Sequence, residues 1–151
     1  MGRWLAIDHG TVRIGLALGN SRDGIASPLE VIDATPPERA FERIDAFIAE
    51  YDVTGLVVGW PLNMDDTEGP QGKLARKLAA KLESRTGLDV RLWDERLSSF
   101  SADQQLAGLY TRKKKKARQD AVAAAAILQD FFACGGPESA PRPGELERRE
   151  G

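Results

Sequence analysis

The chain has 151 residues, 42% of them hydrophobic and 29% charged, with 21 basic and 23 acidic side chains for a formal net charge of −2. These are globular values that exclude a wholly disordered chain, and a chain this long buries roughly 68–70% of its unfolded surface, enough to fold as one domain without disulfides or a structural metal. Cys134 and His9 are the only cysteine and histidine, which excludes an intramolecular disulfide, a CxxC metal site and a His-rich zinc site.

Residues 3–8 read as a buried strand, followed by a turn at His9-Gly10-Thr11 and a second strand over residues 13–19. After the turn signal at residues 20–24 the chain is extended again over residues 25–33. Two short connections between strands predict an antiparallel meander. Pro36-Pro37-Glu38 opens a helix, whose apolar residues Phe41, Ile44, Phe47, Ile48 and Tyr51 recur at three- and four-residue steps. Val53 to Trp60 is a near-continuous apolar run, typical of a strand covered on both faces. A polar loop over residues 61–69 leads to a helix over residues 70–85, with Gly87 as its C-cap, and to a fifth strand over residues 88–94. Helices are predicted over residues 98–110 and 119–133, with the basic run between them as a solvated loop. Residues 135–151 hold four glycines and three prolines and read as a flexible tail, leaving residues 1–134 as the domain. A meander followed by α/β crossovers predicts one mixed five-stranded sheet with helices on its faces. Ligands of such sheets bind beyond the carboxyl ends of the strands.

Acids fall at those ends. Asp8 closes the first strand, Asp94-Glu95 closes the fifth, and Asp120 lies in the first turn of the last predicted helix, on the face of Ala123, Ala124 and Ile127. Singly they fit a turn, a surface charge and a helix cap. Together they match a two-metal phosphoryl-transfer site, which needs several carboxylates converging from rigid elements. Sparse histidine fits that chemistry, since magnesium and manganese prefer carboxylate oxygen. Carboxylates sharing a pocket repel one another without metal, so some should titrate above their usual range. Asp94 and Glu95 point to opposite faces of a pleated strand, so only one of them joins the site.

Charge is unevenly distributed. Six of the 21 basic residues, Arg112, Lys113, Lys114, Lys115, Lys116 and Arg118, fall within seven positions, and the remaining 15 face 23 acids, a net of −8. A basic cluster on an acidic body next to such a site is suited to sequence-independent, salt-sensitive binding of a phosphate backbone.

Four segments in this order resemble the bacterial YqgF/RuvX family: Asp8-His9-Gly10-Thr11-Val12-Arg13-Ile14-Gly15, then Val57 to Gly69 through Trp60-Pro61-Leu62-Asn63, then Asp94-Glu95-Arg96-Leu97-Ser98-Ser99, then Asp120-Ala121-Val122 to Leu128. The resemblance spans residues 3–133. It implies an α/β ribonuclease H-like fold and a divalent-metal-dependent nuclease acting on structured nucleic acid. The family is described both as a Holliday junction resolvase and as a nuclease that processes the 5′ end of pre-16S ribosomal RNA. By resemblance Asp8, Glu95 and Asp120 are the catalytic and metal-binding residues, with Asp94 as the rival of Glu95. Mg2+ or Mn2+ is the implied cofactor. Arg13, Arg96 and the basic run are the implied nucleic-acid contacts, to which Arg76 and Lys77 can add. Trp60 suits either base stacking or packing. The sequence departs from the family pattern at His9, where a smaller or apolar residue is usual, and at Asp66, where glycine is expected and loop mobility should change.

Two other classes compete. An actin- or sugar-kinase-like ATP-binding domain starts with a similar turn, but needs two copies of the fold. A non-catalytic nucleic-acid-binding module needs none of the three acids. A junction resolvase should be a homodimer, because paired cuts need two sites, whereas an RNA-processing nuclease can act as a monomer. No apolar run approaches the ~20 residues of a membrane span, and Asp8 interrupts any leader-like stretch, so the expected location is cytoplasmic.

Overall fold

The computed structural model describes residues 2–97 and 112–145. Five strands, β1 (Arg3–His9), β2 (Arg13–Asn20), β3 (Ile25–Asp33), β4 (Val53–Trp60) and β5 (Asp89–Asp94), form one sheet in the order β3-β2-β1-β4-β5. The first three pair antiparallel and β1, β4 and β5 pair parallel, as the connection lengths predict. Helices α1 (Pro37–Tyr51), α2 (Pro70–Thr86) and α3 (Arg112–Ala133) complete the described core. The helix predicted over residues 98–110 lies outside the described residues.

Both crossover helices carry their own punctuation. A proline opens each, and each ends on a left-handed residue, Asp52 at φ 52° and Gly87 at φ 72°. Strand alternation then divides the sheet into two unlike faces. Leu5, Ile7, Ile14, Leu16, Leu56, Val58, Val90 and Leu92 are fully or almost fully buried against Ile44 and Phe47 of α1 and Ala75, Ala79 and Leu82 of α2. On the other face Trp4, Ala6, Ala17, Val57 and Trp93 meet Ala124, Ala125, Ile127, Leu128 and Phe131 of α3. Phe131 anchors this layer, with its ring 5.0 Å from Trp4 and 6.2 Å from Trp93, centroid to centroid. Truncating such a ring to alanine typically costs about 3–5 kcal/mol.

Small residues let α3 come close. Gly15 on β2 faces α3, and a Cβ there would collide with the backbone carbonyl of Asp120. At Gly59 on β4 a Cβ would lie 2.8 Å from Ile127 Cδ1 and 3.0 Å from Glu95 Oε1. The helix backbone therefore rests on the sheet itself at Gly15.

Two segments differ from their predicted form. The basic run is helical, forming the first two turns of α3 and not a loop, so Asp120 sits in the helix interior and not in its first turn. Lysine and arginine are good helix formers, and nothing between residues 112 and 119 breaks the helix. The start of the supposed tail is also built into the fold. Gly136–Ser139 form a 3-10 turn and Ala140 is buried with Trp93 and Phe131. Leu92 N–H donates to the Pro141 carbonyl (2.9 Å), and Arg91 donates to the Ala140 carbonyl (3.0 Å). Glycine and proline there serve turns that carry the chain along the outer edge of β5, where unpaired backbone groups supply partners.

Gly15→Ala should force α3 off the sheet, lowering stability by about 1–3 kcal/mol as overpacked sites do. Urea denaturation measures this. An unchanged midpoint would mean that the helix shifts without consequence.

Candidate active site

Asp8 is the last acid of β1 and shares the α3 face with Trp4 and Ala6. Its cross-strand partner is Gly15. Because Gly15 has no side chain, α3 brings Asp120 beside Asp8, close enough for the Asp120 charge to raise the Asp8 pKa. Glu95 begins the 3-10 turn Glu95–Leu97 immediately after β5. β4 lies between β5 and β1, so Glu95 can reach Asp8 only by crossing β4. It crosses at Gly59 and makes a hydrogen bond with Asp8. Three sequence-predicted acids, 112 positions apart at the extremes, are thereby brought together from β1, the β5 turn and α3.

The electrostatics follow from this crowding. Burial pushes Glu95 up to about 8, with the Asp8 charge, the Asp8 hydrogen bond and the Asp94 charge adding to it. Burial also raises Asp8, opposed by its hydrogen bond with Glu95 and reinforced by Asp120. A hydrogen bond between two carboxyl groups requires a proton, so one is retained in the pair near neutral pH. Asp120 is instead met by a fixed cation, with Arg13 Nε 2.8 Å from its Oδ2. Among the described residues no group of three acidic, histidine or cysteine side chains is gathered tightly enough to hold a metal ion as it stands. The chemistry of the donor set still fits a hard divalent cation. All donors are carboxylate oxygens, and two of them carry an excess affinity for positive charge.

Asp94 does not meet Asp8. Its carboxylate accepts from the Arg96 backbone N–H (3.0 Å) and from Arg96 Nη2 (2.7 Å). Burial alone would raise Asp94, but these bonds and the Arg96 charge hold it below its usual value. Of the two acids, Glu95 is the one that meets Asp8, and Asp94 is taken up by Arg96. This follows the alternation that puts Glu95 in phase with Trp93 on the α3 face.

Arg96 is engaged within the protein. Besides Asp94, its guanidinium donates to the Asn63 carbonyl (2.9 Å) and pairs with Asp66 Oδ1 (2.9 Å). It clamps the loop after β4 to the end of β5, with its donors turned to protein. Asp66 has φ 70°, which explains why glycine suits that position; aspartate tolerates it and gains the Arg96 contact. Trp60 packs against the first core and donates from Nε1 to Glu68 Oε2 (2.8 Å), and Arg76 pairs with the same oxygen (2.8 Å). Trp60 thus packs, the second of the two roles its sequence position suited, and the shared acceptor Glu68 is the partner that motif reading did not name. His9 alternates to the opposite side of β1 from Asp8, and burial lowers its pKa, keeping the ring neutral. The backbone of residues 112–118 leads helically to Asp120, within about 12 Å along the axis at 1.5 Å per residue.

The sheet order and the helices on its faces define a class, the ribonuclease H-like fold. Thermus thermophilus RuvC, solved in complex with Holliday junction substrate, aligns over 93% of this chain and 98% of its own with a TM-score of 0.55 at 18% identity. The RuvX family, described as Holliday junction resolvase, matches residues 2–134, and the chain belongs to it. Relatives named "Putative pre-16S rRNA nuclease" include one from Opitutus terrae, 42% identical over 95% of this chain and 99% of its own. Another, from Geobacillus thermodenitrificans, is 44% identical over 86% of this chain and 96% of its own.

A carboxyl whose pKa is raised by folding stabilises the protein below its unfolded value and loses that contribution as pH rises through the folded value. For Glu95 the window runs from 4.5 to about 8. In metal-free buffer Glu95→Gln should therefore be the more stable protein at pH 9, by up to about 5 kcal/mol, at 1.36 kcal/mol for each pKa unit of that window. The gap should close toward pH 4. Urea denaturation across this range checks it, and parallel pH profiles would sink the assignment.

Proposed function

We propose that this protein is a divalent-metal-dependent nuclease that hydrolyses phosphodiester bonds of structured nucleic acid. The convergence of Asp8, Glu95 and Asp120, two of them with pKa values raised by burial and mutual repulsion, carries the reading. Asp8, Glu95 and Asp120 would hold Mg2+ or Mn2+. Two such ions, when bound, supply an activated water and stabilise the leaving oxygen. Asp8 and Glu95 give up their shared proton when a cation arrives, so binding strengthens as pH rises. Residues 112–118 supply phosphate contacts on the approach to Asp120, and this is the part that makes binding insensitive to sequence. A non-catalytic module has no use for two carboxyls held at raised pKa.

The relatives' name and the RuvC complex support two substrates, the 5′ region of pre-16S ribosomal RNA and a four-way DNA junction. Junction resolution would require a homodimer, so that two sites face paired strands. Among the described residues no helix is long and apolar enough to cross a membrane, and either substrate fits a cytoplasmic location.

Side-by-side cleavage of labelled four-way DNA junction and structured RNA, with Mg2+ or Mn2+, tests the reading. Asp8→Asn and Asp120→Asn should each slow cutting roughly 100-fold or more, the scale of losing one transition-state charge stabiliser. Cutting that survives in both variants would exclude this site. Binding should also weaken with salt. Replacing Lys114 and Lys115 together by alanine should lower the slope of log K against log salt by about 1.8 on duplex DNA, at about 0.9 for each phosphate no longer neutralised. An unchanged slope would take the basic run out of the interface.

A further inference from the structure

Arg13 opens β2, directly after the turn that follows Asp8. Its Nε donates to Asp120 Oδ2 at 2.8 Å across 107 residues of sequence, with the two side chains 25% and 31% exposed. Asp120 is held by a guanidinium cation. Arg13 takes up Oδ2 of the carboxylate, so an arriving divalent ion meets the guanidinium charge at the same group. The two cations therefore draw on one carboxylate, and like charges this close cannot both remain without repulsion. A released guanidinium at the edge of the site is suited to a phosphate oxygen, which it can grip with two donors.

We propose that Arg13 is the resident counter-ion of Asp120, a positioning residue that competes with divalent metal for this carboxylate and, once displaced, turns to the phosphate of the bound strand. The proposal rests on the reading of Asp8, Glu95 and Asp120 as cation ligands. It makes metal and nucleic acid reciprocal partners, because metal frees the group that binds phosphate and phosphate draws away the group that opposes metal. The free protein then keeps its third acid in place without metal and admits metal most readily when a strand is present.

The test is calorimetric titration of Mn2+ into the full-length, nucleic-acid-free protein, with Arg13→Gln, Arg13→Lys and Asp120→Asn beside it. Arg13→Gln should bind Mn2+ about tenfold more tightly, equivalent to about 1.4 kcal/mol. Arg13→Lys keeps the charge and should stay near the parent, and Asp120→Asn should bind more weakly. Equal or weaker binding by Arg13→Gln would overturn the role of Arg13 while leaving the metal site standing. If no variant, nor the parent, binds Mn2+, the metal reading falls with it. Should Arg13→Gln fail to fold, the Arg13 Nε–Hε resonance of the parent protein decides. It should shift when Mg2+ saturates the site, and a resonance that does not move would overturn the proposal.

Discussion

The backbone of α3 lies against β2 at Gly15, and the functional site depends on that contact. Gly15 is the cross-strand partner of Asp8, so the place where the helix touches the sheet is also the place where an acid leaves it. Any side chain at position 15 would lift Asp120 away from Asp8. The same economy recurs at Gly59, whose missing side chain is the passage by which Glu95 crosses β4. Two absent Cβ atoms thus bring together acids from three separate elements. The anchor that holds the helix in place lies farther along it, where Phe131 is packed between Trp4 and Trp93.

Packing at this distance creates an electrostatic conflict that the fold does not fully relieve. Asp8 and Glu95 are buried and close, so near neutral pH they share a proton in place of a cation. Asp120 escapes the conflict through Arg13. The site is therefore unfavourable by itself and is relieved by positive charge, the usual condition of a centre that binds metal. A rigid surround keeps the strain in place. Arg96 fastens the loop after β4 to Asp94, Asn63 and Asp66, and the segment after α3 covers the outer edge of β5, from which Glu95 emerges.

The strands, the two crossover helices and the mixed sheet were legible because each rests on local chemistry: apolar alternation, prolines at helix starts, and turns of the length that a hairpin or a crossover needs. Alternation alone did not separate Asp94 from Glu95; the burial of Trp93 against α3 puts Glu95, two residues on, in phase with that face. The basic run misled because its charge was read as a loop signal, although its helix propensity is high. Residues 135–145 misled because glycine and proline were read as disorder, when the unpaired edge of β5 supplied hydrogen bonds that no local pattern records.

The sequence by itself determined the order of elements, the family, and which acids stand at the ends of strands, since those properties are carried by residue type and spacing. Only the tertiary structure decided that Arg13 pairs with Asp120, and Arg96 with Asp94 and the loop after β4. Both are arginines beside a site full of acids, and composition treats them alike. What separates them is which carboxylate lies within hydrogen-bond reach, 2.8 Å from Arg13 and 2.7 Å from Arg96. For Arg13 that distance spans 107 residues and is set by how closely α3 approaches the sheet.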